Sequence, residues 1–165
     1  MNFEFTDIQL RGELSQLIDF LHKQNLNYLN YDNWIQRTEN EIDLGYKNTI
    51  LAFSDKKIVG DLVYQQHKTN PRFLELKNMR VHPAFKNRYF ARFMLKQAEM
   101  ENQNYDAIIC DAPSEIPEII SFMQDCGYTP ILLKPLYDNQ EPEIVMIKPI
   151  QKSKNLIIPS ALNLF

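Results

Sequence analysis

Hydrophobic positions change their spacing several times along the chain, and each change predicts an element. Asn2–Phe5 alternates as a short strand. Between Leu10 and Asn25, residues Leu10, Leu14, Leu17, Ile18 and Leu21 recur at helical spacing. The polar, asparagine-rich stretch Asn25–Asn30 suits a loop. Asn33–Leu44 carries a second helical stripe of Trp34, Ile35 and Ile42, with Asp32 as the expected cap and Gly45 as the stop. Thr49–Phe53 and Ile58–Gln66 are strand patterns joined by a polar turn, and Phe73–Val81 is a further strand closed by Pro83. Phe90, Ala91, Phe93, Met94 and Leu95 return to helical spacing and predict a helix to about Asn102. Ala107–Cys110 is fully apolar, as buried parallel strands are. Ile119–Cys126 reads as a short helix stopped by Gly127, and Thr129–Leu136 and Ile144–Lys148 as the last strands. The predicted order is β-α-α-β-β-β-α-β-α-β-β, an α/β (α+β) arrangement with a mixed sheet covered on both faces.

A single domain over residues 1–150 accounts for this pattern, followed by a tail, Gln151–Phe165, that is polar at first and then strongly apolar. Pro159 prevents a long helix there, so the tail is expected to pack on its own domain, augment a sheet edge of a second copy, or dock on a partner. A homodimer through the tail or the last strands stays open. The net charge of −3 argues against a broadly nucleic-acid-binding surface while leaving room for a local basic patch. No apolar run is long enough for a membrane span, and the first ten residues lack the basic and apolar regions of a secretory signal. Cys110 and Cys126 form no metal-type spacing and are expected as buried thiols in a reducing, cytoplasmic setting. His22, His67 and His82 are isolated, so no metal is expected. Ser114 lacks the G-x-S-x-G context of a hydrolase.

The junction at Val81–Leu95 carries the clearest chemistry. A strand ends, Lys86, Asn87 and Arg88 follow, and a helix begins. A helix start presents unpaired N–H groups and a partial positive charge, which suit a phosphate. An ordinary strand–turn–helix with solvated cations is the alternative. Val81, Pro83, Lys86, Asn87, Arg88, Tyr89, Phe90 and Ala91 together resemble the acyl-CoA signature of the GNAT superfamily of N-acetyltransferases, a strand ending in V-x-P and a loop Q/R-x-x-G-x-G/A that opens a helix. The resemblance runs from about Thr49 to Lys148 and includes the hairpin at Ile50–Tyr64 and the late motif Ser121–Tyr128. In this chain Lys86 stands at the loop's opening position, Tyr89 at its first glycine, Met123 where many members place an acidic-role Tyr, and Ile116 near a customary Asn.

The resemblance implies a GNAT-like central sheet of about six to seven strands flanked by about four helices. It also implies acetyl-CoA as acyl donor and an amine acceptor, either a small molecule or a protein. Cofactor contacts would come from the main chain of Met79, Arg80 and Val81 and from Lys86, Asn87, Arg88, Tyr89, Phe90 and Ala91. Tyr28, Tyr31 and Trp34, between the early helices, would border the acceptor, or else pack in the core. Glu75, on the strand before the loop, is the candidate base, or else a solvated charge paired with Lys77 or Arg80. Tyr137 is the candidate acid in place of Met123. Two other readings share the fold: a non-catalytic, CoA-sensing module, motivated by the altered positions, and a GNAT-type toxin acting on aminoacyl-tRNA, which the acidic pI disfavours.

Overall fold

In a computed structural model, the chain is described over residues 3–8, 11–24, 30–136 and 141–150. The elements follow the predicted order: β1 (Phe3–Thr6), α1 (Arg11–Lys23), α2 (Tyr31–Asp43), β2 (Asn48–Ser54), β3 (Lys57–Gln66), β4 (Phe73–Val81), α3 (Phe90–Glu101), β5 (Ala107–Pro113), α4 (Pro117–Asp125), β6 (Thr129–Pro135) and β7 (Pro142–Pro149). A turn of 3-10 helix, Pro83–Phe85, lies between β4 and α3. The strands form one seven-stranded sheet ordered β1-β2-β3-β4-β5-β7-β6. It is mixed: β4 pairs β5 in parallel, whereas β1 with β2, β2 with β3, β5 with β7 and β6 with β7 are antiparallel.

Helix boundaries depart from the expectation where local backbone decides them. The second helix begins at Tyr31 rather than Asn33, and its cap position is Asn30 in a left-handed conformation, φ 62°. Asp32 therefore lies inside the first turn, where it faces the His22 ring at 3.5 Å instead of capping. Gly45 and Gly127 stop α2 and α4 as expected. Each has positive φ, and the next residue's N–H returns to a carbonyl inside the helix, Tyr46 to Glu41 at 2.8 Å and Tyr128 to Met123 at 3.0 Å. The fourth helix starts at Pro117, not Ile119, because proline fits the first helical turn. β5 runs on to Pro113 because β7 pairs with it along its whole length, from Ala107–Pro149 to Pro113–Glu143.

The chain divides into two compact units, Met1–Gln65 with Lys77–Met100 and Gln66–Leu76 with Glu101–Phe165. In the first unit α1 and α2 lay Leu17, Phe20, Leu21, Tyr31 and Ile35 against Leu51, Phe53 and Ile58 of the sheet. Full burial of such side chains stabilises by about 1.5–3 kcal/mol each. The second unit is built on Phe73, Ala107, Ile109, Val145 and Ile147, with Ile131, Leu132 and Leu136 packed beside them. Among the described residues no helix is long and apolar enough to cross a membrane. No disulfide joins Cys110 and Cys126, and burial pushes the Cys110 thiol up from its ordinary value.

Candidate functional site

In the first unit, the exit from β4 is fixed by the sheet itself. The His82 N–H donates to the Val59 carbonyl at 2.8 Å, holding the strand end on β3. His82 Nδ1 then accepts the Ala84 N–H at 3.2 Å and caps the 3-10 turn, so this histidine organises the loop. Asn87 and Tyr89 follow with φ of 60° and 65°. Asparagine tolerates that region through local hydrogen bonding, whereas a side chain such as tyrosine costs about 1–2 kcal/mol there. These reversals turn the chain into α3, whose Phe93 N–H reaches back to the Tyr89 carbonyl at 2.9 Å. Amides ahead of that bond belong to the helix N-terminus and point toward the loop side.

Lys86, Asn87, Arg88 and Tyr89 are exposed around this N-terminus, and Tyr89 is 69% exposed. The Phe90 side chain is buried and anchors the loop, and Ala91 is half-buried. An aromatic floor supports the loop: the Phe90 ring meets Phe85 at 5.9 Å, Phe3 at 5.0 Å and Phe5 at 5.6 Å between centroids. The Arg88 guanidinium lies over Phe85 at 5.6 Å. The ladder between β4 and β5 covers Phe73–Glu75 and Ala107–Ile109, and Met79–Val81 lie beyond its end.

Beside this loop the first unit holds a buried polar relay that the hydrophobic pattern did not single out. Asp61, in the middle of β3, is 0% exposed. Its Oδ2 accepts from Asn78 Nδ2, while its Oδ1 is buried without a hydrogen-bond partner. Asn78 Oδ1 accepts from Arg80 Nε at 3.0 Å, an orientation of the amide that serves both neighbours. Arg80 Nη1 donates to the Gln24 carbonyl at 2.9 Å and to the Tyr31 hydroxyl. The guanidinium also lies over the Tyr31 ring at 4.9 Å, and the Tyr31 hydroxyl donates to the Leu21 carbonyl at 2.9 Å. Burial pushes the Asp61 carboxyl up to about 7, against the opposing pull of the Asn78 hydrogen bond and the Arg80 charge. A charged residue inside the apolar run Ile58–Tyr64, Asp61, was the signal available in the sequence.

Tyr31, expected beside the acceptor or in the core, is buried with its hydroxyl committed to this relay. Trp34 stacks on it with centroids 5.8 Å apart and planes 11° from parallel. In the second unit Glu75 is buried on β4, in parallel register with Ile109. Met123 is a core residue of α4, and Ile116 stands at that helix's cap position. His67 accepts the Asn70 N–H at 3.1 Å and so braces the turn before β4. Glu143, on β7, is buried, and burial first, then Asp111, Glu115 and Glu141, push it up to about 7. Among the described residues no group of three His, Cys, Asp or Glu side chains is arranged to hold a metal ion. Tyr28, Tyr137 and the tail 151–165 lie outside the described residues.

No family model matches the sequence, and no curated protein matches it. Solved structures do match in fold. An acetyltransferase of the GNAT family from Staphylococcus aureus Mu50 superposes with a TM-score of 0.71 at 17% identity, over 91% of this chain and 100% of that one. The ribosomal-protein-S18-alanine N-acetyltransferase from Escherichia coli gives 0.72 at 12% identity, over 94% and 99%. A chain of the NatC complex bound to Gag peptide and CoA gives 0.70 at 13% identity, over 92% and 100%. The chain therefore has the GNAT fold, as the sequence resemblance implied.

Proposed function

We propose that this GNAT-fold chain is an acyl-CoA-dependent N-acyltransferase, with acetyl-CoA as the donor and an amine as the acceptor. The observation that carries the reading is the Lys86–Ala91 loop. Its sequence departs from the GNAT pattern at Tyr89, yet Tyr89 adopts the positive φ that a glycine would supply there, and its side chain is exposed. Maintaining that backbone against its steric cost supports a functional path for the loop. In this reading the amides of Asn87–Ala91 receive the pyrophosphate, and Lys86 and Arg88 add charge-assisted contacts. The main chain of Met79–Val81, beyond the β4–β5 ladder, pairs with the pantetheine arm as an added strand would. The NatC neighbour's bound CoA supports the choice of donor.

The reaction is a direct displacement. The amine nitrogen, freed of one proton by a base, attacks the thioester carbonyl, the carbon–sulfur bond breaks, and the second proton shed by the attacking nitrogen goes to the CoA thiolate. Glu75, a buried carboxylate on the strand before the loop, is the proposed base, and it acts on the ammonium before attack. Isothermal titration with acetyl-CoA tests the donor site, with Arg88→Glu as the control. Binding weakened roughly tenfold or more in the variant is the expected result. A folded protein that shows no binding overturns the reading. Binding without transfer to any amine would select the non-catalytic CoA-sensing module, which Met123's place in the core favours over an enzyme with its acid at that position.

A further inference from the structure

The relay from Asp61 to Tyr31 has no role in the chemistry above, and it is costly to keep. A fully buried carboxylate with one oxygen unsatisfied is destabilising, so its presence calls for an explanation. What it touches is specific. Its line of hydrogen bonds passes through Asn78 and ends on the guanidinium of Arg80, which grips the Gln24 carbonyl just past α1 and the Tyr31 hydroxyl at the start of α2. Those two contacts lie on either side of the segment joining the helices, residues 25–29. We propose that Asp61 is a positioning residue for the end of α1 and the start of α2: acting through Asn78 and Arg80, its carboxylate holds Gln24 and Tyr31 in place.

The mechanism is electrostatic. Ionised Asp61 can only accept, which fixes the Asn78 amide with its NH2 toward the carboxylate and its oxygen toward Arg80. It also attracts the guanidinium in a dry setting, where charge counts most. A protonated Asp61 can donate as well as accept, so the amide loses its single orientation and Arg80 its fixed acceptor. Tyr31 and Gln24 are then less tightly held. With the carboxyl pushed up to about 7, this change falls in the neutral range.

Among the described residues the groups facing the relay are few. Arg80 on β4 opposes the Asp61 charge, and Tyr31 on α2 shares its hydroxyl. Asp32 acts on Tyr31 and faces His22 of α1 at 3.5 Å. On β2 the register partner of Asp61 is the apolar Leu51. Lys47, paired with Glu41 at 2.7 Å, lies over the Trp34 ring at 5.7 Å.

The single tryptophan of the chain, Trp34, stacks on Tyr31 and reports its position without any substrate. Trp fluorescence is followed from pH 5 to 8.5, with far-UV circular dichroism to confirm folding. The native protein should show one transition with a midpoint near 7. That transition should vanish in Asp61→Asn and persist in His22→Gln. Tyr31→Phe, which keeps the stacked ring but cuts the relay at its hydroxyl, should also lose it, and this variant carries the test if Asp61→Asn does not fold. A transition absent from the native protein, retained in Asp61→Asn or Tyr31→Phe, or abolished by His22→Gln overturns the proposal. Because no acetyl-CoA is used, a failed donor titration sinks the acyltransferase reading and leaves this result standing.

Discussion

Asp61 and Glu143 make a natural pair: each is a buried carboxylate on a strand, one in each compact unit, and each is pushed up to about 7. They arrive there by different routes. For Asp61 burial does the raising, while the Asn78 amide and the Arg80 charge pull the carboxyl back toward ionisation. For Glu143 burial is reinforced by Asp111, Glu115 and Glu141, so every neighbour acting on it favours the neutral acid. The same proton affinity therefore has two meanings. In the first unit ionisation tightens a built chain of contacts, and in the second it adds one more charge to an acidic set.

The largest effect expected from breaking this pair is in the pH dependence of stability. Asp61 in the folded chain holds its proton until about 7, whereas an unfolded aspartate releases it near 3.8. Stability from this group is therefore fully present below 3.8 and is lost as pH rises toward 7. The loss across that window is on the order of 4 kcal/mol. Urea unfolding at a series of pH values should show this slope in the native protein and not in Asp61→Asn; parallel curves for the two would refute it.

Next in size is Arg80→Met, which leaves Asp61 with no opposing cation and the Gln24 carbonyl without its donor. A cost of about 3 kcal/mol is expected at pH 8, shrinking at pH 5, where Asp61 is neutral. A cost independent of pH would show that Arg80 matters for packing alone. Gly60→Ala probes the same region sterically. A Cβ there would meet the Arg80 carbonyl at 3.0 Å, Met94 Cε at 3.2 Å and Ala52 Cβ at 3.4 Å. Thermal unfolding should register a loss of about 2 kcal/mol, because the backbone of β4 cannot yield as a side-chain tip can. Smallest is Glu143→Gln. The sign is the same as for Asp61, with stability lost between 4.5 and about 7, and the variant should remove that slope. Because its window is narrower, 4.5 to about 7 against 3.8 to about 7, the total loss should be smaller than for Asp61. A loss as large as that of Asp61 would erase the distinction between the two sites.

Elements with strong periodicity were legible in the chain itself. Phe73–Val81 is the strand expected, residue for residue, and Gly45 and Gly127 stop their helices as expected, because these features depend on local backbone preference and side-chain spacing. The loop Lys86–Ala91 was also visible, since its cations and the following helical spacing are contiguous. The start of α2 was not: Asn30 takes a left-handed conformation and draws the helix back to Tyr31, while Asp32 turns to His22. Nor was the extension of β5 to Pro113, which depends on pairing with β7, far along the chain. Tyr89 illustrates the boundary between the two. It stands where the resemblance places a glycine, and the tertiary structure gives it a positive φ and an exposed ring.

By itself, then, the sequence determined the order of elements, the fold class and the position of the strand–loop–helix junction at Val81–Leu95, all of which follow from neighbours within a few residues of one another. Only the tertiary structure decided that Asp61, Asn78, Arg80, Gln24 and Tyr31 form one relay. Those residues come from two strands and the ends of two helices, and no local spacing encodes their meeting. A polar side chain within an apolar strand reveals that it must be satisfied, while the partner that satisfies it is chosen by how the strands and helices pack.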